Sequence, residues 1–188
     1  HRLEHGIESI MGALDGFEKQ PQESVMADAQ RRMRLGRRAL EQGDFSTVEA
    51  VLASVEKLMK SVDLTPYDRG VQVDRIGQLE DLWVELLQKK GDAAAARERL
   101  EATLKGLKEL QDLAATNQCD PGMRTYSKNT AAKSFVRRAG RAGHLDIVSK
   151  AAKKISKKER EGCGAIVAKW WLPNDQGGAL DVFETLSG

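Results

Sequence analysis

Lys133, Arg137 and Arg141 stand at i, i+4 and i+8. On an α-helix that spacing puts all three cations on one face. Such a face can bind a carboxylate or a phosphate, and the attraction strengthens where water is kept out. A second row follows: Lys150, Lys153, Lys154, Lys157 and Lys158. At about 100° per residue these fall in one sector, with Leu145, Val148, Ala152 and Ile155 opposite. The row is either a solvated outer face or a contact for phosphate backbone or an anionic membrane surface. No regular aromatic interleaving accompanies it, so base stacking gains no support.

Residues that could do covalent chemistry are sparse. There is no GxSxG, HExxH or P-loop pattern. The glycine pairs do not follow strand-like runs, so they form no dinucleotide loop. His1, His5 and His144 are scattered. His1 and His5 stand at i, i+4, but a metal site at a fraying terminus is a poor one. Cys119 and Cys163 lie in no CxxC pair and near no histidine cluster, which argues against zinc. The expectation is a non-catalytic protein without cofactor or metal. Trp170 and Trp171 are adjacent on a short helix. One can enter the core; Trp171, about 100° round, either marks an interface or is half-buried against a neighbouring helix.

The elements that must position these side chains are helices. Of 188 residues, 31% are charged and 5% aromatic. That mixture favours helix over strand. The net charge is +2, but it is unevenly spread. Cys119 to Trp171 holds thirteen Lys/Arg against four Asp/Glu, and His1 to Gln118 holds seventeen against twenty-one. The basic segment could steer an acidic peptide or a nucleic acid to one end. No apolar run approaches the roughly 20 residues needed to span a bilayer, and no signal peptide is visible. A soluble protein of a reducing compartment, cytoplasm or organelle interior, is the expectation. The chain begins with His, which fits a processed or partial chain.

Apolar periodicity predicts helices over His1–Glu18, Ser24–Gln42, about 44–60, Val71–Lys90, Ala93–Ala115, Thr130–Ala142, Leu145–Arg160, Ala165–Leu172 and Gly178–Leu186. Asp63 to Gly70 and Thr116 to Asn129 read as loops. Asp44 or Ser46 can cap the third helix.

Gly43-Asp44, Gly91-Asp92 and Gly143-His144 each follow one helix and precede another. Counting back eight, seven and four residues from each glycine gives Leu35, Gly36 and Ala39; Trp83, Val84 and Leu87; Phe135, Val136 and Ala139. Counting forward five, nine and twelve gives Val48, Leu52 and Val55; Ala96, Leu100 and Thr103; Val148, Ala152 and Ile155. Asn174 anchors a fourth unit if it stands in for the glycine, since Asn tolerates the left-handed conformation.

This pattern resembles the tetratricopeptide repeat, most closely in "LGRRALEQGDFSTVEAVLASV", with Leu35-Gly36 and Gly43-Asp44-Phe45 at the family's Leu-Gly and Gly-Asp-aromatic positions. "RAGHLDIVSKAAKKI" and "NDQGGALDVFETL" also resemble the pentatricopeptide repeat. The likeness runs from about Gln30 to Leu186. It departs in spacing: the anchors are 48, 52 and 31 residues apart, against 34 in the family. The family's Trp position holds Arg32, Glu80, Ala132 and Cys163.

The resemblance implies an all-α domain. Four antiparallel hairpins (about 23–62, 71–115, 129–160 and 163–187) would stack as a short right-handed α-solenoid, with residues 1–20 as an N-terminal capping helix. An irregular helical bundle is the alternative. In a stack, the first helix of each hairpin would line a concave groove. Its groove positions would be Met33, Arg37 and Glu41 with Arg34 adjacent; Asp81, Glu85 and Lys89; and Lys133, Arg137 and Arg141. The implied function is a scaffold holding a partner protein or peptide, acidic in character, or joining subunits of a larger assembly. The other reading is an RNA binder of pentatricopeptide type using the basic 119–171 segment. That class needs nearly uniform units, which the 48 and 52 spacings are not.

Overall fold

A computed structural model describes residues 24–60, 64–116, 128–154, 160 and 176–187. The helices expected over His1–Glu18 and Ala165–Leu172, the turn at Asn174, both cysteines and both Trp170 and Trp171 lie outside these residues. Among the described residues every regular element is an α-helix, and there are eight: α1 (Val25–Glu41), α2 (Phe45–Met59), α3 (Pro66–Lys89), α4 (Ala93–Lys105), α5 (Leu107–Thr116), α6 (Lys128–Arg141), α7 (Leu145–Ala152) and α8 (Gln176–Ser187).

The helix starts follow from side-chain caps that satisfy otherwise orphaned N–H groups. Ser24 accepts from Ala27 N at 3.0 Å. Asp44 rather than Ser46 caps α2, accepting from Thr47 N at 3.1 Å and from Ser46 Oγ at 3.0 Å. Asp92 accepts from Ala95 N at 3.0 Å. α3 begins five residues before the expected Val71. Thr65 and Asp68 form a reciprocal capping box, and Pro66 occupies the first turn, where an amide proton is not needed.

The three glycine turns share one geometry. Gly43, Gly91 and Gly143 have φ of 76°, 79° and 93°, a region that costs an L-residue little only when it lacks Cβ. In each turn the next residue's N–H reaches back to the carbonyl four residues before the glycine: Asp44 to Ala39 at 3.0 Å, Asp92 to Leu87 at 2.9 Å, His144 to Ala139 at 3.0 Å. The glycine N–H bonds Leu40, Gln88 or Gly140. This closes the last turn of one helix and leaves Asp44, Asp92 or His144 at the cap position of the next. Asp44 and Asp92 use their side chains; His144 makes no cap bond.

The expected single helix over Ala93–Ala115 is two. Gly106, with φ near −79°, donates its N–H to the Ala102 carbonyl at the close of α4 and accepts from Leu110 N at the opening of α5, so the helix is interrupted there. α7 ends at Ala152, and a turn follows at 153–154.

Packing repeats with the turns. The positions seven before and five and nine after each glycine are Gly36, Val48 and Leu52; Val84, Ala96 and Leu100; Val136, Val148 and Ala152. All are buried. At Gly36 a Cβ would stand 3.3 Å from Val51 Cγ1, so α1 and α2 approach closely there. The eighth position back varies: Phe135 is buried, Trp83 half-buried and Leu35 exposed. α1 packs on α2 and α3, α3 also on α4 and α6, α6 on α5 and α7, and α7 on α8. Leu79, Leu82 and Leu86 of α3 close one core with Met33, Leu40, Leu52 and Val55. Val84 of the same helix joins a second core around Leu100, Phe135, Val136, Ile147 and Leu186. α3 therefore belongs to both cores.

Candidate functional site

α1, α3 and α6 lie side by side, and polar side chains tie them together. Arg37 of α1 reaches Glu85 of α3 at 3.4 Å, both well exposed. Asp81, one turn earlier on α3, accepts from Arg138 Nε of α6 at 2.6 Å. Arg138 Nη2 donates to the Gly77 carbonyl at 2.8 Å. Arg75 of α3, itself buried, binds Asp74 at 2.7 Å and Gln30 of α1 at 3.0 Å. So the acids that α3 offers on this side, Asp74, Asp81 and Glu85, each hold an arginine.

The sequence-derived site residues divide accordingly. Arg37 and Glu85 are brought together. Asp81 is engaged, but by Arg138 rather than by a member of the expected basic row. Arg137 and Arg34 are exposed and make no ion pair among the described residues. Arg141 is exposed and Lys133 half-buried on the same helix α6. Met33, at an expected groove position, is instead in the core beneath α3. Trp171 lies outside the described residues.

Arg138 was legible in the sequence and was missed. It lies on a stripe with Ala131, Phe135 and Ala142, on the apolar side of α6. Its guanidinium crosses that side and ends on α3, which explains an arginine only 5% exposed.

The basic row of α7 is partly engaged. Lys154 Nζ donates to the Leu104 carbonyl at 3.0 Å, and Lys150 lies 3.9 Å from Asp146. Lys153 is exposed; Lys157 and Lys158 lie outside the described residues. Beside this row Arg97 of α4 binds Asp146 through two nitrogens, at 3.2 and 2.5 Å, and approaches His144 Nδ1 at 3.4 Å. The hydrogen bond from Arg97 holds the Asp146 carboxyl below the usual carboxylate range, against its partial burial. His144 is pushed down by burial and by the neighbouring Arg97 cation, against the pull of Asp146 and Glu101, which favours its neutral form. Among the described residues no three His, Cys, Asp or Glu side chains converge as a metal site requires. No helix among them is long and apolar enough to cross a membrane.

No protein-family model, no curated protein and no solved structure matches this chain. Its class therefore rests on its own geometry: among the described residues it is all-helical, with three pairs of consecutive helices each joined by the same glycine turn.

Proposed function

We propose that the chain is a non-catalytic scaffold for protein–protein interaction. In this reading the hairpins stack as a short right-handed α-solenoid of tetratricopeptide type. The face across α1, α3 and α6 is its binding groove, and its partner is a protein or peptide of acidic character. The repeated turn and the repeated buried register support the stack, since each hairpin needs its neighbour to cover its apolar side.

One observation carries the functional part. On this face the acids of the middle helix are occupied by Arg37, Arg75 and Arg138, whereas Arg34 and Arg137 on the flanking helices are exposed and have no ion pair among the described residues. The charge left over for a ligand is positive. An acidic segment laid across the helices would meet Arg34 on one side and Arg137 on the other.

The test is to identify what co-purifies with the intact protein and measure its affinity for Lys133→Glu with Arg137→Glu. A loss of about tenfold or more is expected for two reversed contacts; unchanged affinity eliminates the site. The RNA reading retains Lys150 and Lys153 as exposed cations, but Lys154 is spent on Leu104. A salt titration with single-stranded RNA separates the two. Tight, sequence-selective binding at moderate salt would favour RNA.

A further inference from the structure

A cleft of about 390 Å³ lies between α3 and the α4–α5 pair, beside the helix break at Gly106. Its floor is aliphatic: Ile76 of α3 with Leu110 and Leu113 of α5. All three are only half-buried, so apolar surface faces water there. The charged groups among the lining residues are two carboxylates, Glu80 and Glu109, and no cation. None of the lining residues belongs to the groove set on α1, α3 and α6.

The two acids differ. Glu80 holds the Arg99 guanidinium through both oxygens, at 2.9 and 3.0 Å, which shows the kind of group this wall accepts. Glu109 is exposed on α5 and has no ion-pair partner among the described residues. An occupant must therefore offer aliphatic surface to the floor and positive charge to Glu109. Lysine and arginine combine these, an apolar stem with a cationic head that stays near water. A phosphate or an acidic peptide would be repelled by the Glu109 carboxylate.

We propose that this cleft is a second docking site, specific for a basic residue of a partner protein. The stem of that residue lies on Ile76, Leu110 and Leu113, and its head pairs with Glu109. The site prefers the opposite charge from the α1–α3–α6 face, so it stands or falls independently of the function proposed above.

The probe is a library of random short peptides displayed on phage and selected on the full chain. The expected result is a class of binders with lysine or arginine beside an aliphatic residue. Synthesised members of that class lose about tenfold in affinity on Glu109→Lys, keep it on Arg137→Glu, and shift the methyl resonances of Ile76, Leu110 and Leu113. Glu109 is exposed, so the Glu109→Lys protein is expected to keep the helical circular dichroism and melting temperature of the parent. If no enriched class is weakened by Glu109→Lys, or if basic binders shift methyls elsewhere, the proposal is overturned.

Discussion

Arg138 donates to Asp81 at 2.6 Å, and this pair fastens α6 to α3 from inside the molecule. The Arg138 side chain is 5% exposed, whereas Arg37 and Glu85, at 3.4 Å on the same face, are 51% and 42% exposed. Burial makes the two pairs unequal. An exposed pair is screened and is worth about 0–1 kcal/mol. Removing one partner of a buried pair leaves a desolvated charge and costs about 3 kcal/mol. Asp81→Ala, which strands Arg138, is therefore expected to destabilise by about 2–3 kcal/mol, less than the fully buried limit because Asp81 is partly solvated. Glu85→Ala should change stability by under about 1 kcal/mol. Urea midpoints of the two variants check this; equal shifts would mean that burial does not set the difference.

The turn glycines give a prediction with few competing terms. At Gly43 and Gly91 an added Cβ would meet nothing within 4 Å. Any cost of Gly43→Ala or Gly91→Ala is therefore backbone strain from φ near +76° and +79°, about 1–2 kcal/mol each. Gly43→Asn should cost less, because Asn visits that region more readily. Thermal melts of the three variants measure the order, and Asn no better than Ala would contradict it.

How much of this was legible in sequence depends on the range of the signal. The turns were, because a Gly-Asp step between two apolar periods is a local pattern and its chemistry is complete within six residues. The buried register around those turns was also legible. Three features were not. The start of α3 reads as loop because Pro66 and Gly70 punctuate it, and the capping box of Thr65 and Asp68 shows only once the helix is formed. The break at Gly106 is hidden, since a single glycine with ordinary φ leaves the helical period intact. The ion-pair partners could not be assigned: Asp81 had Lys133, Arg137, Arg138 and Arg141 to choose from, and the choice depends on how α6 is rotated against α3. That rotation is set by Phe135 and Val136 entering a core shared with Val84 and Leu100.

Asp68 joins the beginnings of two helices, α1 at Val25 and α3 at Pro66. One oxygen accepts from Ser24 Oγ and from Met26 N at 2.9 Å; the other accepts from Thr65 N at 3.0 Å and Thr65 Oγ1 at 2.8 Å. Burial works to raise its pKa, and the hydrogen bonds from Ser24, Met26 and Thr65 outweigh it, so the carboxyl lies below its ordinary value. A depressed folded-state pKa contributes stability that is complete above the unfolded value, near ~4, and is lost as pH falls through the folded value. Asp68→Asn is expected to cost about 2–4 kcal/mol at neutral pH, because its amide cannot accept all four bonds. The gap between parent and variant should be constant from about pH 7 to 5 and shrink below about pH 4. Urea unfolding of both proteins across that range tests it; a gap that widens in acid would refute the assignment.

Arg99 of α4 links an acid of its own hairpin to one of the first hairpin. It pairs with Glu56 of α2 at 2.5 Å and with Glu80 of α3 at 2.9 Å, and its guanidinium lies 4.7 Å from the Trp83 ring centroid. Only a planar, forked cation can pair with both acids and stack on the ring at once. An ammonium in its place would keep the charge and lose the fork and much of the stacking. Arg99→Lys is therefore expected to lose about 1–2 kcal/mol despite conserving charge. Arg97→Lys, at a more exposed pair with Asp146, should lose less. Because Glu56 belongs to α2, the Arg99 variant should also raise amide exchange in α2, which Arg97→Lys should leave unchanged. Hydrogen-exchange mass spectrometry resolves the two helices. Faster exchange confined to α4 in Arg99→Lys would show that the contact does not couple the hairpins.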